Sequence, residues 1–119
     1  MTFEDLESWK QARQAVRKIY ELTRTEVLCR DFGICGQVQR AAVSILSNIA
    51  EGFERLHLQE KLQFYNVARG STAEVRSLSY VIEDNFPQLA SASAAMRQEI
   101  VVAGKLVSGL IRSTESRKA

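Results

Sequence analysis

The chain contains few of the residues that interrupt or cross-link a polypeptide. Its 119 residues include one proline, Pro87, only six glycines and two cysteines. A β-rich fold needs many tight turns, which glycine and proline commonly supply, so this composition favours helices over sheets. Two cysteines without a CxxC spacing provide neither a disulfide framework nor a cysteine metal site. We therefore read Cys29 and Cys35 as reduced thiols.

Long apolar runs and a strong net charge are also missing. The longest apolar candidate, residues 100–111, is interrupted by Gly104 and Lys105 and falls short of the roughly 18 residues of a transmembrane helix. The first residues show no basic segment followed by an apolar run, so we expect no signal peptide and a cytoplasmic protein. A net charge of +2 does not by itself predict nucleic-acid binding.

The single histidine argues against the common catalytic sites. Glu54-x-x-His57 matches one half of a di-iron motif, but a helical bundle needs two such motifs and two further glutamates. One histidine and no GxSxG segment also argue against a Ser-His-Asp triad. We expect no enzyme, no catalytic residue, no cofactor and no metal.

Apolar residues that recur at steps of three and four predict four helices. The predicted ranges are residues 4–23, 32 or 34 to 53, 58 to 85 or 86, and from just after Pro87 to 113. Thr2 and Asp5 form a plausible cap for the first helix. The short links imply an all-α fold, an antiparallel up-and-down four-helix bundle. We expect one domain over residues 1–113 and a polar, disordered tail over residues 114–119.

The second helix carries a polar stripe where apolar side chains are expected. Ser44, Ser47, Asn48 and Glu51 fall at positions i, i+3, i+4 and i+7, and therefore lie on one helical face. Small residues beside them are typical of close helix contact. The stripe predicts either an internal hydrogen-bond network or a binding surface.

The third helix supplies possible partners for this stripe. In an antiparallel pair, Asn48 and Glu51 can meet Ser71 and Glu74, and we expect the small residues Gly70 and Ser71 to allow the close approach. Glycine within a helix costs about 1 kcal/mol against alanine, which favours a packing reason for Gly70. Buried carboxylates need cationic partners, and the cations available to them are Arg40, Arg55 and Arg69. The predicted polar seam or oligomer contact, which lies either within one protomer or between subunits, comprises Arg40, Ser44, Asn48, Glu51, Arg55, Ser71 and Glu74.

Three segments together resemble the signature of the four-helix-bundle proteins of the 23S rRNA intervening-sequence type, the S23 family. The segments cover about two-thirds of the chain, in the order and spacing of that family. They are Gln37-x-x-Arg40-Ala41-Ala42-x-Ser44-Ile45-x-Ser47-Asn48-Ile49-Ala50-Glu51-Gly52-Phe53-x-Arg55, Phe64-x-x-Val67-Ala68-Arg69-Gly70-Ser71-x-x-Glu74-Val75, and Phe3-x-x-Leu6-x-x-Trp9-x-x-Ala12 with Ile19-Tyr20-x-Leu22-Thr23.

The resemblance implies a left-handed bundle that assembles into a ring-shaped homopentamer. Members of the family are encoded within insertions in bacterial large-subunit rRNA genes and elsewhere in bacterial genomes. A structurally similar accessory protein of diversity-generating retroelements binds nucleic acid and a reverse transcriptase. The resemblance therefore implies RNA or DNA, or a nucleic-acid-processing protein, as the partner of this chain.

The distribution of basic residues gives a second, electrostatic indication of an anionic partner. From residue 88 to 119 there are five basic residues against two acidic ones. Lysine and arginine bind nucleic acid by neutralising phosphates. The alternative is a protein-interaction scaffold without nucleic-acid affinity, and the core-like spacing of the aromatic residues predicts no stacking platform. The candidate nucleic-acid contacts are Lys10, Arg13, Arg17, Lys18, Arg97, Lys105, Arg112, Arg117 and Lys118.

Overall fold

The computed structural model describes residues 1–118, and the side chains of residues 1–117. Lys118, one of the predicted nucleic-acid contacts, therefore has its side chain outside the described part. The α-helices are α1 (Glu7–Thr23), α2 (Phe32–Glu54), α3 (Leu58–Asn85) and α4 (Ala90–Glu115). Short 3-10 turns occupy Phe3–Asp5, Pro87–Leu89 and Ser116–Lys118. The described residues contain no strand, which confirms the all-α prediction.

The helix bounds agree with the sequence prediction to within one residue except at two places. The first helix was expected from residue 4, but Phe3–Asp5 forms a 3-10 turn and Leu6, in extended conformation, separates it from α1. The Thr2 backbone N–H donates to Asp5 Oδ2 at 2.9 Å, so the predicted cap forms on this turn. At the other end, α4 continues two residues beyond the expected position 113, to Glu115.

Contacts across α2 and α3 show how these helices run. Ser44 lies beside Ser71, and Gly52 lies beside Tyr65. Residue numbers rise along α2 as they fall along α3, which is the pattern of an antiparallel pair. The molecule is elongated, with extents of 50 × 20 × 19 Å, and α1 packs against both α2 and α4. These contacts form a four-helix bundle; its left-handed twist stays a prediction.

The core consists of apolar side chains from all four helices. Tyr65 of α3 is the largest of them and is almost fully buried. Burial of an aliphatic or aromatic side chain stabilises a fold by about 1.5–3 kcal/mol, so these contacts dominate the stability of the bundle. The central members from each helix include Ala12, Ile19, Val38, Ile45, Ile49, Ala68, Val75, Ile82, Ile100 and Val107. Within the described residues, no helix is long and apolar enough to cross a membrane.

The first connection is anchored at its end by Asp31. The Ile34 backbone N–H donates to Asp31 Oδ1 at 3.1 Å, which caps the start of α2. Cys35, one turn into α2, is buried, and its Sγ donates to the Leu28 carbonyl at 3.3 Å. Burial raises the pKa of the Cys35 thiol. Cys29 is exposed, and both cysteines are free.

The expectation that Gly70 allows close approach of α2 and α3 is wrong. Gly70 is exposed, and a Cβ atom placed on it would meet no atom within 4 Å. The close approach occurs at Gly52, where a Cβ atom would lie 2.6 Å from Tyr65 Cε1 and 3.1 Å from Phe64 Cβ. Gly52 lies within α2, two residues before the helix ends at Glu54.

Candidate functional site

The structure brings together three members of the predicted polar seam. The Ser44 and Ser71 hydroxyls lie 2.8 Å apart and join α2 to α3. The Asn48 side-chain amide donates to the Ser44 carbonyl at 2.8 Å and to its hydroxyl at 3.1 Å. The network is compact and partly buried, which is typical of a structural role in holding two helices in register.

The charged members of the predicted seam lie outside this network. Glu51 and Arg55 approach each other at 3.6 Å, one turn apart on α2, with side chains 57% and 44% exposed. Glu74 and Arg40 are also exposed. Glu74 forms no ion pair with any other side chain in residues 1–117. A carboxylate in water needs no buried partner, so Glu51 and Glu74 add little to the contact between α2 and α3. The Arg55 guanidinium does reach α3, where it lies 4.6 Å from the centre of the Phe64 ring.

The predicted contacts on α1 are partly engaged by neighbouring side chains. Lys10 lies 3.6 Å from Glu7, and the Arg13 guanidinium lies 5.7 Å from the centre of the Trp9 ring. Arg17 and Lys18 are exposed. α1 thus carries four cations, but the carboxylates on the same helix reduce the positive charge around them.

Among the predicted nucleic-acid contacts, Arg97 of α4 is the one that is most engaged in packing within the bundle. Its guanidinium lies 2.7 Å from Glu83 Oε1 and donates to Ser79 Oγ at 3.0 Å, both on α3. It also lies 3.8 Å from the centre of the Tyr80 ring. The side chain is only 12% exposed, so we do not count Arg97 among the groups that are available to a phosphate.

The same region contains a serine contact between α3 and α4. The fully buried Ser93 hydroxyl donates to the Ser79 carbonyl at 2.7 Å. Residues 90–95 were predicted to lie in the fourth helix, but small alanines and serines carry no apolar periodicity and leave its first turns weakly specified. Their size allows α4 to begin close against α3.

A basic groove runs between α3 and α4 on the outside of the bundle. It encloses about 710 Å³ and includes four cationic side chains, Arg69 and Arg76 from α3 and Lys105 and Arg112 from α4. Among its lining residues, all within the described part of the chain, there is no carboxylate. We call these four side chains the groove cations. None of them forms an ion pair with another described side chain.

Small residues create the groove and helical spacing places the cations along it. Gly70 and Ala73 of α3, and Gly104 and Ser108 of α4, line it with little or no side chain. On each helix the two cations are seven residues apart, which is about two turns, and therefore share one face. Long basic side chains thus border a depression with a small-residue floor.

The register of α3 against α4 sets the length over which the groove cations are spread. Thr72 lies against Gly104, and Ser79 lies against Arg97. At this register Arg112 lies level with residue 64 and Lys105 with residue 71 of α3. Projected onto the numbering of α3, the groove cations therefore lie at positions 64, 69, 71 and 76. This is a span of 12 residue steps, or about 18 Å at 1.5 Å per residue.

Sequence reasoning identified half of this groove. Lys105 and Arg112 were predicted contacts, whereas Arg69 was considered only as a seam cation and Arg76 was not selected. The seven-residue spacing on both helices was visible in the sequence, but their register was not. Arg117, in the turn after α4, is exposed and does not line the groove.

The polar groups that line the groove are suited to hold an anion. Its lining contains arginine, lysine, asparagine, serine and threonine as polar groups, and no histidine, cysteine or carboxylate. Among the described residues, no cluster of histidine, cysteine or acidic side chains is arranged to hold a metal ion. Electrostatic binding is therefore the chemistry that the lining supports best.

Comparison with known proteins connects this bundle with one family. A sequence model of the family described as 23S rRNA-intervening sequence protein matches residues 4–109, a range that contains α1, α2 and α3 and most of α4. A comparison with curated proteins found no match.

Proposed function

This chain belongs to the 23S rRNA-intervening sequence protein family, and from that premise we propose that it binds nucleic acid through the basic groove between α3 and α4. The observation that carries the proposal is the convergence of four cations from two helices on one groove without a lining carboxylate. The chain as a whole carries only +2, so this surface concentrates positive charge locally.

The groove cations match what phosphate binding requires. All four residues are exposed, so a phosphate can approach them without displacing packed side chains. Each phosphate that a lysine or arginine neutralises releases condensed counterions, which drives binding at low salt. Arginine adds paired donors that fit phosphate oxygens, and three of the four groove cations are arginines.

We propose further that the protein acts by binding and without catalysis, and that it forms a homo-oligomer, in keeping with the pentamer of the proteins it resembles. Phe32 at the start of α2 and Leu56 after its end are 83% and 91% exposed in the single chain. Contact between subunits would remove these side chains from water, which is favourable in proportion to the apolar area buried. Repetition of the groove around an oligomer would multiply weak phosphate contacts.

A charge-matched pair of variants tests the proposed groove. The groove variant replaces Arg69, Arg76, Lys105 and Arg112 with glutamine, and the control variant replaces Lys10, Arg13, Arg17 and Lys18 on α1 in the same way. Both variants lose four positive charges. Binding of labelled RNA and DNA is measured by fluorescence anisotropy over a salt titration.

We expect the groove variant to lose most of its affinity and the α1 control to keep most of its affinity. With four neutralised phosphates per groove on a single strand, the slope of log affinity against log salt is about −3, and it approaches zero in the groove variant. Equal losses in the two variants would contradict the groove assignment. A correctly folded wild type that binds neither RNA nor DNA at low salt would favour the scaffold alternative.

A further inference from the structure

Tyr80 is an exposed aromatic side chain with one face already occupied. It is 49% exposed, in contrast to the core position that its spacing predicted. The Arg97 guanidinium lies 3.8 Å from the ring centre, as a cation stacked on the face of the ring. Half of the residue's surface nevertheless remains accessible, so we infer that the opposite ring face points to solvent.

The arginine behind the ring is itself held in place. Arg97 is fixed by Glu83 Oε1 at 2.7 Å and by Ser79 Oγ at 3.0 Å. Contact with a guanidinium that is itself held in place restricts the rotation of the Tyr80 ring before any ligand binds. Preorganisation of this kind lowers the entropy cost of binding a planar group against the open face.

Tyr80 lies at one end of the basic groove. Arg76 lines the groove, and Tyr80 follows it on α3 by four residues, which is one turn along the same face. On α4, Arg97 precedes the lining residue Val101 by four residues in the same way. The Tyr80–Arg97 pair therefore continues both walls of the groove beyond its last cation.

This arrangement distinguishes between single-stranded and double-stranded ligands. A strand whose phosphates follow the groove cations presents its next nucleotide to the open face of Tyr80. Only an unpaired base has an accessible π-face, because the bases of a duplex are stacked on one another. We propose that the groove holds single-stranded nucleic acid and that one base of the strand stacks on Tyr80, an inference that rests on the function proposed above.

The test compares Tyr80→Ala with Tyr80→Phe on ligands that separate bases from phosphates. The probes are a labelled RNA single strand of about twelve nucleotides, the DNA strand of the same sequence, a fully abasic strand of equal length and a duplex. Tyr80→Phe retains the ring, and Tyr80→Leu retains cover over Arg97 without a π-face. Circular dichroism and thermal melting establish that each variant is folded.

We expect Tyr80→Ala and Tyr80→Leu to weaken single-strand binding about fivefold to one hundredfold, the range for loss of one aromatic–base stack. Their affinities for the abasic strand and the duplex should stay within about twofold of wild type, and Tyr80→Phe should bind all probes as wild type does. The salt slope should not change, because the groove cations remain. Comparison of the RNA strand with the DNA strand shows whether the sugar changes the affinity.

The inference fails if the single strand binds Tyr80→Ala as tightly as wild type, or if abasic and duplex affinities fall as much as that of the single strand. In either case, loss of binding in the four-glutamine groove variant would still support the proposed function. If that groove variant binds as wild type does, the proposed function fails and this inference fails with it.

Discussion

At the scale of single residues, the contact between α2 and α3 depends on side chains that are small enough to let two backbones approach. Gly52 faces the ring of the buried Tyr65, and the Ser44 and Ser71 hydroxyls bridge the helices further along. Interiors are packed to nearly crystalline density, so an added methyl group at such a contact must displace its neighbours. An exposed glycine on the same pair of helices carries no such constraint.

Substitution of these two glycines should therefore have opposite effects on stability. Gly52→Ala forces Tyr65 to move and should lower the free energy of unfolding by about 1–3 kcal/mol. Gly70→Ala adds a methyl group in open space within α3 and should raise it by about 0.5–1 kcal/mol, because alanine favours the helix. Urea denaturation at one protein concentration measures both. A stabilising Gly52→Ala would contradict the close contact.

The serine bridge can be tested with a control on the same helix. Ser71→Ala removes the hydrogen bond to Ser44, whereas Ser77→Ala alters an exposed position of α3. Both substitutions change helix propensity equally, so their difference isolates the bridge. We expect Ser71→Ala to be less stable than Ser77→Ala by about 1 kcal/mol in urea denaturation. Equal stabilities would mean that the bridge contributes nothing.

The sequence could predict that residues 40–55 form a helix with polar groups toward a neighbour, but not which of them meet. Periodicity places Ser44, Asn48 and Glu51 along one side of α2. A rotation of a few tens of degrees then decides whether Glu51 lies in the contact or in water, and no local signal sets that rotation. The same uncertainty placed the close approach at Gly70, whereas the structure has it at Gly52.

At the scale of helices, the pairing of α3 with α4 rests on a polar cluster at one end and opens into the groove further along. Ser93, Ser79, Glu83 and Arg97 link the helices near the 3-10 turn that contains Pro87. The Glu83 and Arg97 side chains are mostly shielded from water, and their ion pair offsets the cost of removing both charges from water. This cluster fixes the register that brings the groove cations together.

Removal of Arg97 should show that the cluster is structural. Arg97→Met keeps much of the side-chain volume but leaves Glu83 without its cation, and should lower the free energy of unfolding by about 1–3 kcal/mol. Lys105→Met on the exposed face of the same helix should change it by less than about 0.5 kcal/mol. Chemical denaturation compares the two variants. Equal effects would mean that the ion pair adds no stability.

Helix ends were predictable where the chain carries a local stop signal. The end of α3 at Asn85 matches the prediction, since Pro87 disfavours helical geometry in the residue before it. The start of α1 does not match the prediction. The apolar residues keep their helical spacing across Leu6, although Leu6 itself is extended and precedes the helix. The groove was only half predictable, since Arg69 and Arg76 meet Lys105 and Arg112 through a register that neither helix encodes alone.

At the scale of the whole molecule, the elongated bundle carries the basic groove along its side, and the effect that we propose for this groove depends on how many copies assemble. Under the proposed function, a groove of about 18 Å, at 1.5 Å per residue step, would contact only a short segment of a strand. One such contact with four cations would give modest affinity at physiological salt. Several grooves on one assembly would bind one long strand far more tightly, because every contact after the first would be intramolecular.

The pentamer that we propose therefore predicts both a mass and a length dependence. Light scattering at micromolar concentration should give about 67 kDa, five times the 13.4 kDa of one chain. A strand long enough to reach a second groove should bind at least about 100-fold more tightly than a strand that fills one. The four-glutamine groove variant should keep the mass and lose the length dependence, because it changes the grooves alone. A wild-type mass of 13.4 kDa, with equal affinity for short and long strands, would contradict the assembly and leave single-groove binding to be judged separately.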